Sequence, residues 1–424
     1  MTIAAEAENP AQVKRQWRSQ AAVRLATVGD QLLVAVANFA LTVSVGRAFG
    51  AEEVAAYGIG LSAGLMIQAL QRHAIIIPLM LRAPGRVQRR RGGIFAQHCM
   101  VLAAGFACGL TGLLMEEVTG LPRFGCLIIA ASAVSLLVYA ELEFARAILV
   151  KLGRPFLLLG SSVWYAAVSA TLSIAALHGL VSFDTVLATL AAAMVVHALT
   201  LFTLAERFSL RLGLHLLASD ARRYGGWALI ATLTWSGYNH LPLFVLGAMA
   251  PPIEAAAFVA TRSLSLQPLQ ILLRGLDIAD KAMFAKCGNA PDSRAALQLT
   301  MKLAGVYAVA AGLVGGVACF FADDLVHLAY GDKFASSGPA LLAWMPVSIL
   351  ISVALPLESL VYARQVFRSY YMVRAIGSCF AVALTVPLVA WGEVGAIAAC
   401  GAGSLLAVTG TMLILLKGRR NDSR

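Results

Sequence analysis

Residues 30–58 read DQLLVAVANFALTVSVGRAFGAEEVAAYG. An apolar run leads to a polar break at Arg47–Glu53, and a second apolar run begins at once. About 20 mostly apolar residues are enough for a helix to cross the hydrocarbon of a bilayer. In lipid every backbone N–H and C=O must pair within its own segment, unless the chain closes into a barrel. The apolar runs of this chain are too long and too uniform for barrel strands. Residues 30–58 therefore read as the end of one spanning helix, a tight turn, and the start of the next.

The pattern repeats along all 424 residues, of which 59% are hydrophobic and 13% charged. An ordinary soluble domain carries roughly 25% charged residues, and a soluble core of this size would need them to cover its surface. A soluble enzyme and a secreted disulfide scaffold are excluded. A net charge of +11 would suit nucleic acid, but the basic residues lie between apolar runs, as cytoplasmic anchors do. The fold class is an all-α integral membrane protein with twelve transmembrane helices. The expected spans are 23–46, 54–81, 94–115, 125–149, 155–178 and 184–205, then 224–249, 253–276, 298–321, 338–362, 369–391 and 394–416.

The loops test this count. With the N-terminus inside, 28 of the 33 basic residues fall on the cytoplasmic side. The other side has Arg47, Arg123 and Lys333, and gathers acids such as Glu52, Glu53, Glu116, Glu117, Asp323 and Asp324. One missed span would invert this alternation downstream, so it predicts both termini in the cytoplasm. Residues 1–22 read as a cytoplasmic tail without the pattern of a cleaved signal peptide, and residues 417–424 as a second tail.

Shifting the chain by 201 residues overlays the two halves. Asn38 meets Asn239, Gly46 meets Gly247, Glu53 meets Glu254, Tyr57 meets Phe258, and Ser62 meets Ser263. The shift covers an even number of helices, so both halves enter the membrane in the same sense. The expectation is two six-helix lobes, 23–205 and 224–416, related by a parallel pseudo-twofold axis around a central cavity. A basic cytoplasmic linker, 206–223, joins them, and its stretch 210–218 suggests a short amphipathic surface helix.

Polar groups inside the membrane face an interior or a cavity. On helix 1, Arg24, Thr27, Gln31, Asn38 and Thr42 share a stripe flanked by Asp30. On helix 7, Thr232, Trp235, Ser236 and Asn239 share a face. Helix 2 carries Gln68 and Arg72, and helix 8 carries Arg262 and Gln267. Counted from the outer end of helix 8, Arg262 lies about 14 Å deep, near the midplane. It must face water or an acid, and Asp30 is a candidate partner. The alternative is an anion site, since a guanidinium binds phosphate bidentately and keeps its charge. Arg24, Arg72, Arg262, Gln31, Asn38, Asn239, Gln68 and Gln267 are thus the candidate cavity lining. Asp30, Glu143 and Glu358 are candidates for ion coupling or gating, with Glu141 and Arg146 beside Glu143. His197 and His240 are weaker candidates for a proton relay. Gly60/Gly64 and Gly105/Gly109 have the spacing of close helix packing.

The chain has no Walker A loop, zinc motif or nucleophile elbow. Its seven cysteines form no CxxC pair. No catalytic residue, cofactor or metal is expected, and transport must draw on an ion gradient, a substrate gradient or a partner.

The hairpin at 30–58 resembles the first helix pair of Wzx-type polysaccharide flippases, in the multidrug/oligosaccharidyl-lipid/polysaccharide exporter superfamily. Those proteins show a central Asn-Phe, then Arg-x-Leu-Gly, an acidic pair and an aromatic-Gly. Here the matching residues are Asn38-Phe39, Arg47-Ala48-Phe49-Gly50, Glu52-Glu53 and Tyr57-Gly58, with Phe49 in place of leucine. The resemblance implies a flippase that turns oligosaccharide on undecaprenyl pyrophosphate from the inner to the outer leaflet of a bacterial inner membrane. It implies a polyprenyl-pyrophosphate-linked sugar as partner, along with polysaccharide polymerase and export machinery, and no nucleic acid. Lipid-II flippases, a sister branch, use arginines on helices 1, 2 and 8, which Arg24, Arg72 and Arg262 match by helix. The competing readings are a multidrug cation antiporter of the same fold and a membrane polysaccharide polymerase or assembly factor.

Overall fold

The computed structural model describes the backbone of residues 10–81, 84–119, 122–205, 208–286, 294–364 and 366–417. Every regular element among them is helical. Twelve long helices follow one another among these residues. They are α1 (Pro10–Ala48), α2 (Ala51–Gln71), α3 (Arg91–Thr119), α4 (Arg123–Lys151), α5 (Pro155–Leu177) and α6 (Phe183–Phe202), then α7 (Leu210–Met249), α8 (Pro252–Lys286), α9 (Arg294–Phe320), α10 (Gly338–Arg364), α11 (Phe367–Leu388) and α12 (Gly392–Lys417). Each expected span falls on one of them. A π-helical turn, Arg72–Ile76, and a last α turn, Ile77–Leu81, carry α2 to its expected inner end.

The halves are built alike. In the first, α1 packs along α5, while α2 and α3 pack along α4. In the second, α7 packs along α11, while α8 and α9 pack along α10. These are the same pairings six helices later, as a parallel repeat requires. The helix α4 is the core of the first lobe, with Leu137, Ala140, Phe144 and Ile148 buried on it. The paired glycines bring their helices onto α4. Gly60 and Gly64 of α2 face Ala131 and Ser135, and Gly105 and Gly109 of α3 face Leu137 and Ala133.

The lobes meet along a seam where α1 and α2 pack on α8, and α2 also packs on α7. The half of the seam at the end expected to face outward, the outer half, is tight. A Cβ at Gly58 would stand 2.0 Å from Val259, and one at Gly247 would stand 2.5 Å from Ile59. The outer connection of the second lobe holds a short helix, Ala322–Tyr330, and a 3-10 segment, Gly331–Ser337. It lies on the outer end of α1, where the Tyr330 ring abuts Gly46 and Arg47 Nη1 donates to Leu328 O at 3.0 Å.

Residues 210–218 are not a separate surface helix. They are the first turns of α7, capped where Ser209 Oγ accepts from Leu212 N–H. Leu212 and Gly213 press on Gly93 and Ala96 of α3, and Leu216 is buried. Leu212 and Leu216 of this segment thus pack on the first lobe, while Leu210 and Leu214 stay exposed.

Candidate functional site

Among the described residues, the candidate charges Asp30, Glu143, Arg72, Glu358 and Arg262 fall into three polar centres inside the bundle. The first joins α1, α2, α4 and α5. Asp30 of α1, 2% exposed, accepts from Arg146 Nε of α4 and from Ser162 Oγ of α5 at 2.6 Å. Arg146 Nη1 also reaches Glu143 Oε2 at 2.9 Å, and Glu143 Oε1 lies 3.2 Å from Arg72 Nε. Two acids and two arginines balance here. The Arg72 side chain remains 58% exposed, so its guanidinium is held from one side only. It opens the π turn of α2, an irregularity that frequently marks functional sites. Just before it, Gln71 is buried with both amide atoms unpartnered.

The second centre lies in the second lobe. Glu358 of α10 accepts from Tyr370 Oη at 2.8 Å and from Arg374 Nη1 at 3.2 Å. Arg374 Nη2 donates to Tyr238 Oη at 2.7 Å, and its guanidinium lies over the Tyr238 and Tyr370 rings at 5.6 and 5.1 Å. These groups, with Asn239 and Ser404, line a cavity of about 60 Å³. That volume holds a few waters, not a sugar. Glu143 and Glu358 occupy corresponding helices, and an arginine neutralises each.

Arg262 forms the third centre, on the seam. Its Nη1 lies 3.2 Å from His240 Nδ1 of α7 and 3.5 Å from Ser62 Oγ of α2. Among the described residues no carboxylate pairs with it. The Asp30–Arg262 pair that the sequence suggests does not form. Arg262 is ten residues from the outer start of α8 and Asp30 is 18 from the outer end of α1, so they differ in depth by about 12 Å at the helical rise. Asp30 also faces its own lobe, towards α4 and α5.

The remaining candidates are dispersed. Asn38 Oδ1 accepts from Tyr165 Oη of α5. Gln31, Gln68 and Asn239 are half-buried, and Gln267 is half-buried with its Oε1 unpartnered. The side chain of Arg24 lies outside the described residues. Sequence reasoning missed Arg374, one of the 28 basic residues it assigns to the cytoplasmic side, which the structure buries at 7% exposed. The only sequence signal was its place as the sixth residue of the expected span 369–391.

No protein-family profile and no curated protein matches this chain by sequence. Solved structures do match in shape. The chain is similar to the lipid II flippase MurJ in an inward closed conformation, with TM-score 0.66 and 11% identity over 93% of this chain and 87% of that one. An inward-facing multidrug resistance MATE family transporter of the MOP superfamily gives TM-score 0.66 and 14% identity over 94% and 100%. A MOP superfamily transporter from Pyrococcus furiosus, described as having a binding pocket of reverse polarity, gives 0.55 and 15% over 95% and 94%. This chain has the fold of the MOP transporters. The twelve helices and their repeated pairings are the two six-helix lobes of the MOP fold. Structures of this fold include both a lipid flippase and multidrug transporters, so the fold alone names no substrate.

Proposed function

We propose that the chain is a flippase for an anionic lipid-linked sugar, carried across a bacterial inner membrane with both termini in the cytoplasm. The observation that carries this reading is Arg262, a guanidinium on the seam whose hydrogen-bond partners are an imidazole and a hydroxyl. A cation carrier needs an uncommitted acid in its path. Here Asp30, Glu143 and Glu358 each already hold an arginine, which disfavours the antiporter. Pyrophosphate supplies the counter-charge that Arg262 lacks. Buried, unpartnered atoms of Gln71, Thr232, Ser236 and Gln267 lie on the seam helices α2, α7 and α8. Native buried polar groups are nearly always paired, and these would find partners in a hydrated, sugar-filled passage.

In the flipping cycle the lobes 23–205 and 224–416 rock about the seam, and the chamber forms when its packed outer or inner half opens. Arg72 receives the pyrophosphate near the inner mouth, Arg262 holds it at mid-depth, and the polyprenyl tail stays in lipid. We assign undecaprenyl pyrophosphate as the carrier, a surface-polysaccharide repeat unit as the sugar, and the polymerase and export machinery as downstream partners. This follows the hairpin resemblance at 30–58.

Reconstituted protein should move a labelled polyprenyl-pyrophosphate sugar between leaflets, and Arg262→Ala should lower the rate at least about tenfold, the loss of one charge-assisted contact. Full activity of Arg262→Ala would reject the anion site. Uptake of cationic dyes without lipid flipping would favour the antiporter.

A further inference from the structure

The first lobe contains another buried network, which the flipping path does not use. Glu141 of α4 is 0% exposed. Its Oε2 lies 2.6 Å from His98 Nε2 of α3, and its Oε1 lies 2.8 Å from His197 Nδ1 of α6. His197 Nε2 lies 2.6 Å from Ser161 Oγ of α5. His98 stacks on Phe144 with ring centroids 3.8 Å apart, and its Nδ1 is buried without a partner. Four helices thus share one network, with α3 and α6 meeting the carboxylate of α4 directly and α5 meeting it through His197. Among the described residues Glu141 pairs with no lysine or arginine.

We propose that this cluster is a proton-binding site, and that the exchangeable proton sits on Nε2 of His197. Hydrogen-bond inventory leads to this assignment. An ionised carboxylate only accepts, so His98 Nε2 and His197 Nδ1 both carry hydrogen. Ser161 then donates to a bare His197 Nε2. In this state the cluster holds one negative charge in a low-dielectric interior, which is costly. One added proton makes it neutral. On His98 that proton would occupy Nδ1, a buried donor with no acceptor. On His197 it occupies Nε2, and Ser161 Oγ turns from donor to acceptor with the contact kept. The Nδ1 proton of His197 can then stay or pass to Glu141 Oε1. Nε2 carries hydrogen in either case.

The surrounding charges leave this balance intact. On α3, Cys99 neighbours His98, and Gln97 faces Asp220 of α7 at 3.5 Å. On α4, Glu143 and Arg146 are engaged with Arg72 of α2 and Asp30 of α1. The helix α5 presents only hydroxyls here. Ser161 and Ser162 are consecutive, and Ser162 Oγ holds Asp30 Oδ1. Loading the proton therefore reorients a hydroxyl on the turn of α5 that anchors α1, a seam helix. That gives a proton gradient a route to the lobe motion. The use of the proton rests on the proposed flippase; the site itself does not.

The test needs no lipid substrate. The full-length protein, in nanodiscs and with nitrogen-labelled histidines, is titrated by NMR from about pH 8 to about pH 5. Nε2 of His197 should pass from bare to protonated while His98 keeps one tautomer throughout. Ser161→Ala removes the acceptor and should weaken proton binding roughly tenfold, and Ser161→Thr should restore it. Protonation of His98 instead, no change at either ring, or an unmoved midpoint in Ser161→Ala would each overturn the proposal. Normal titration together with absent lipid flipping would sink the flippase and leave the proton site standing.

Discussion

Arg146 holds two acids at once, Asp30 of another helix and Glu143 of its own. Removing one partner of a buried ion pair strands the other charge and typically costs about 3–5 kcal/mol. Arg146→Ala should therefore lower unfolding stability by about that amount, since Asp30 is almost fully buried. Adding Asp30→Asn should recover part of the loss in denaturant melts in detergent, because the stranded charge is gone. A second residue, Glu393 at the outer start of α12, sets a pH dependence. Burial and a hydrogen bond with Glu254 push its carboxyl up from 4.5 to about 7. The folded protein then binds this proton more tightly than the unfolded chain does. The resulting stability is full below pH 4.5 and is lost as pH rises through about 7. Thermal melts against pH should show that decline, and Glu393→Gln should flatten it. At this scale the sequence shows that Asp30, Glu141 and Arg262 are costly in lipid. It does not show which groups compensate them, because rotation and depth of neighbouring helices choose the partners.

Among the elements, α2 and α4 approach through glycines. A Cβ at Gly60 would stand 2.6 Å from the carbonyl carbon of Ala131, a backbone atom that cannot rotate away. Gly60→Ala must push the helices apart, and overpacking of this kind costs about 1–3 kcal/mol. The variant should melt earlier than the parent, while Gly125→Ala, where a Cβ meets nothing within 4 Å, should melt with it. Gly392 at the start of α12 combines a φ of +59° with Glu254 Oε2 standing 2.2 Å from where a Cβ would be. The GxxxG spacing was legible in the chain, but the helix that receives both glycine pairs was not. Ala131, Ala133 and Ser135 qualify because they are small, and only packing reveals that α4 is central.

For the molecule as a whole, the outer connection of one lobe clamps the first helix of the other. Lys333 Nζ donates to Gly46 O at 3.4 Å and to Phe49 O, carbonyls at the C-terminal end of α1, where a cation also meets the negative end of the helix dipole. Tyr330 Oη donates to Ala260 O of α8 at 3.1 Å, which ties the same connection to the seam. Lys333→Ala should loosen the outer closure. Electron-resonance distances between spin labels at Glu52 and Asp324, both exposed, should lengthen in this variant relative to the parent. Unchanged distances would show that the outer seam is held by the Gly58–Val259 packing alone.

The sequence by itself determined the helical class, the twelve spans and the parallel repeat. In lipid a backbone must satisfy its own hydrogen bonds, so each span follows from local hydropathy and short-range pairing. Tertiary structure alone decided that Asp30 pairs with Arg146 rather than Arg262, that Arg374 is buried against Glu358 and two tyrosines, and that Glu141 bridges two histidines. Apart from Arg374–Tyr370, these contacts join residues on different helices. The pattern along a single helix contains neither its depth against a neighbour nor its rotation towards it.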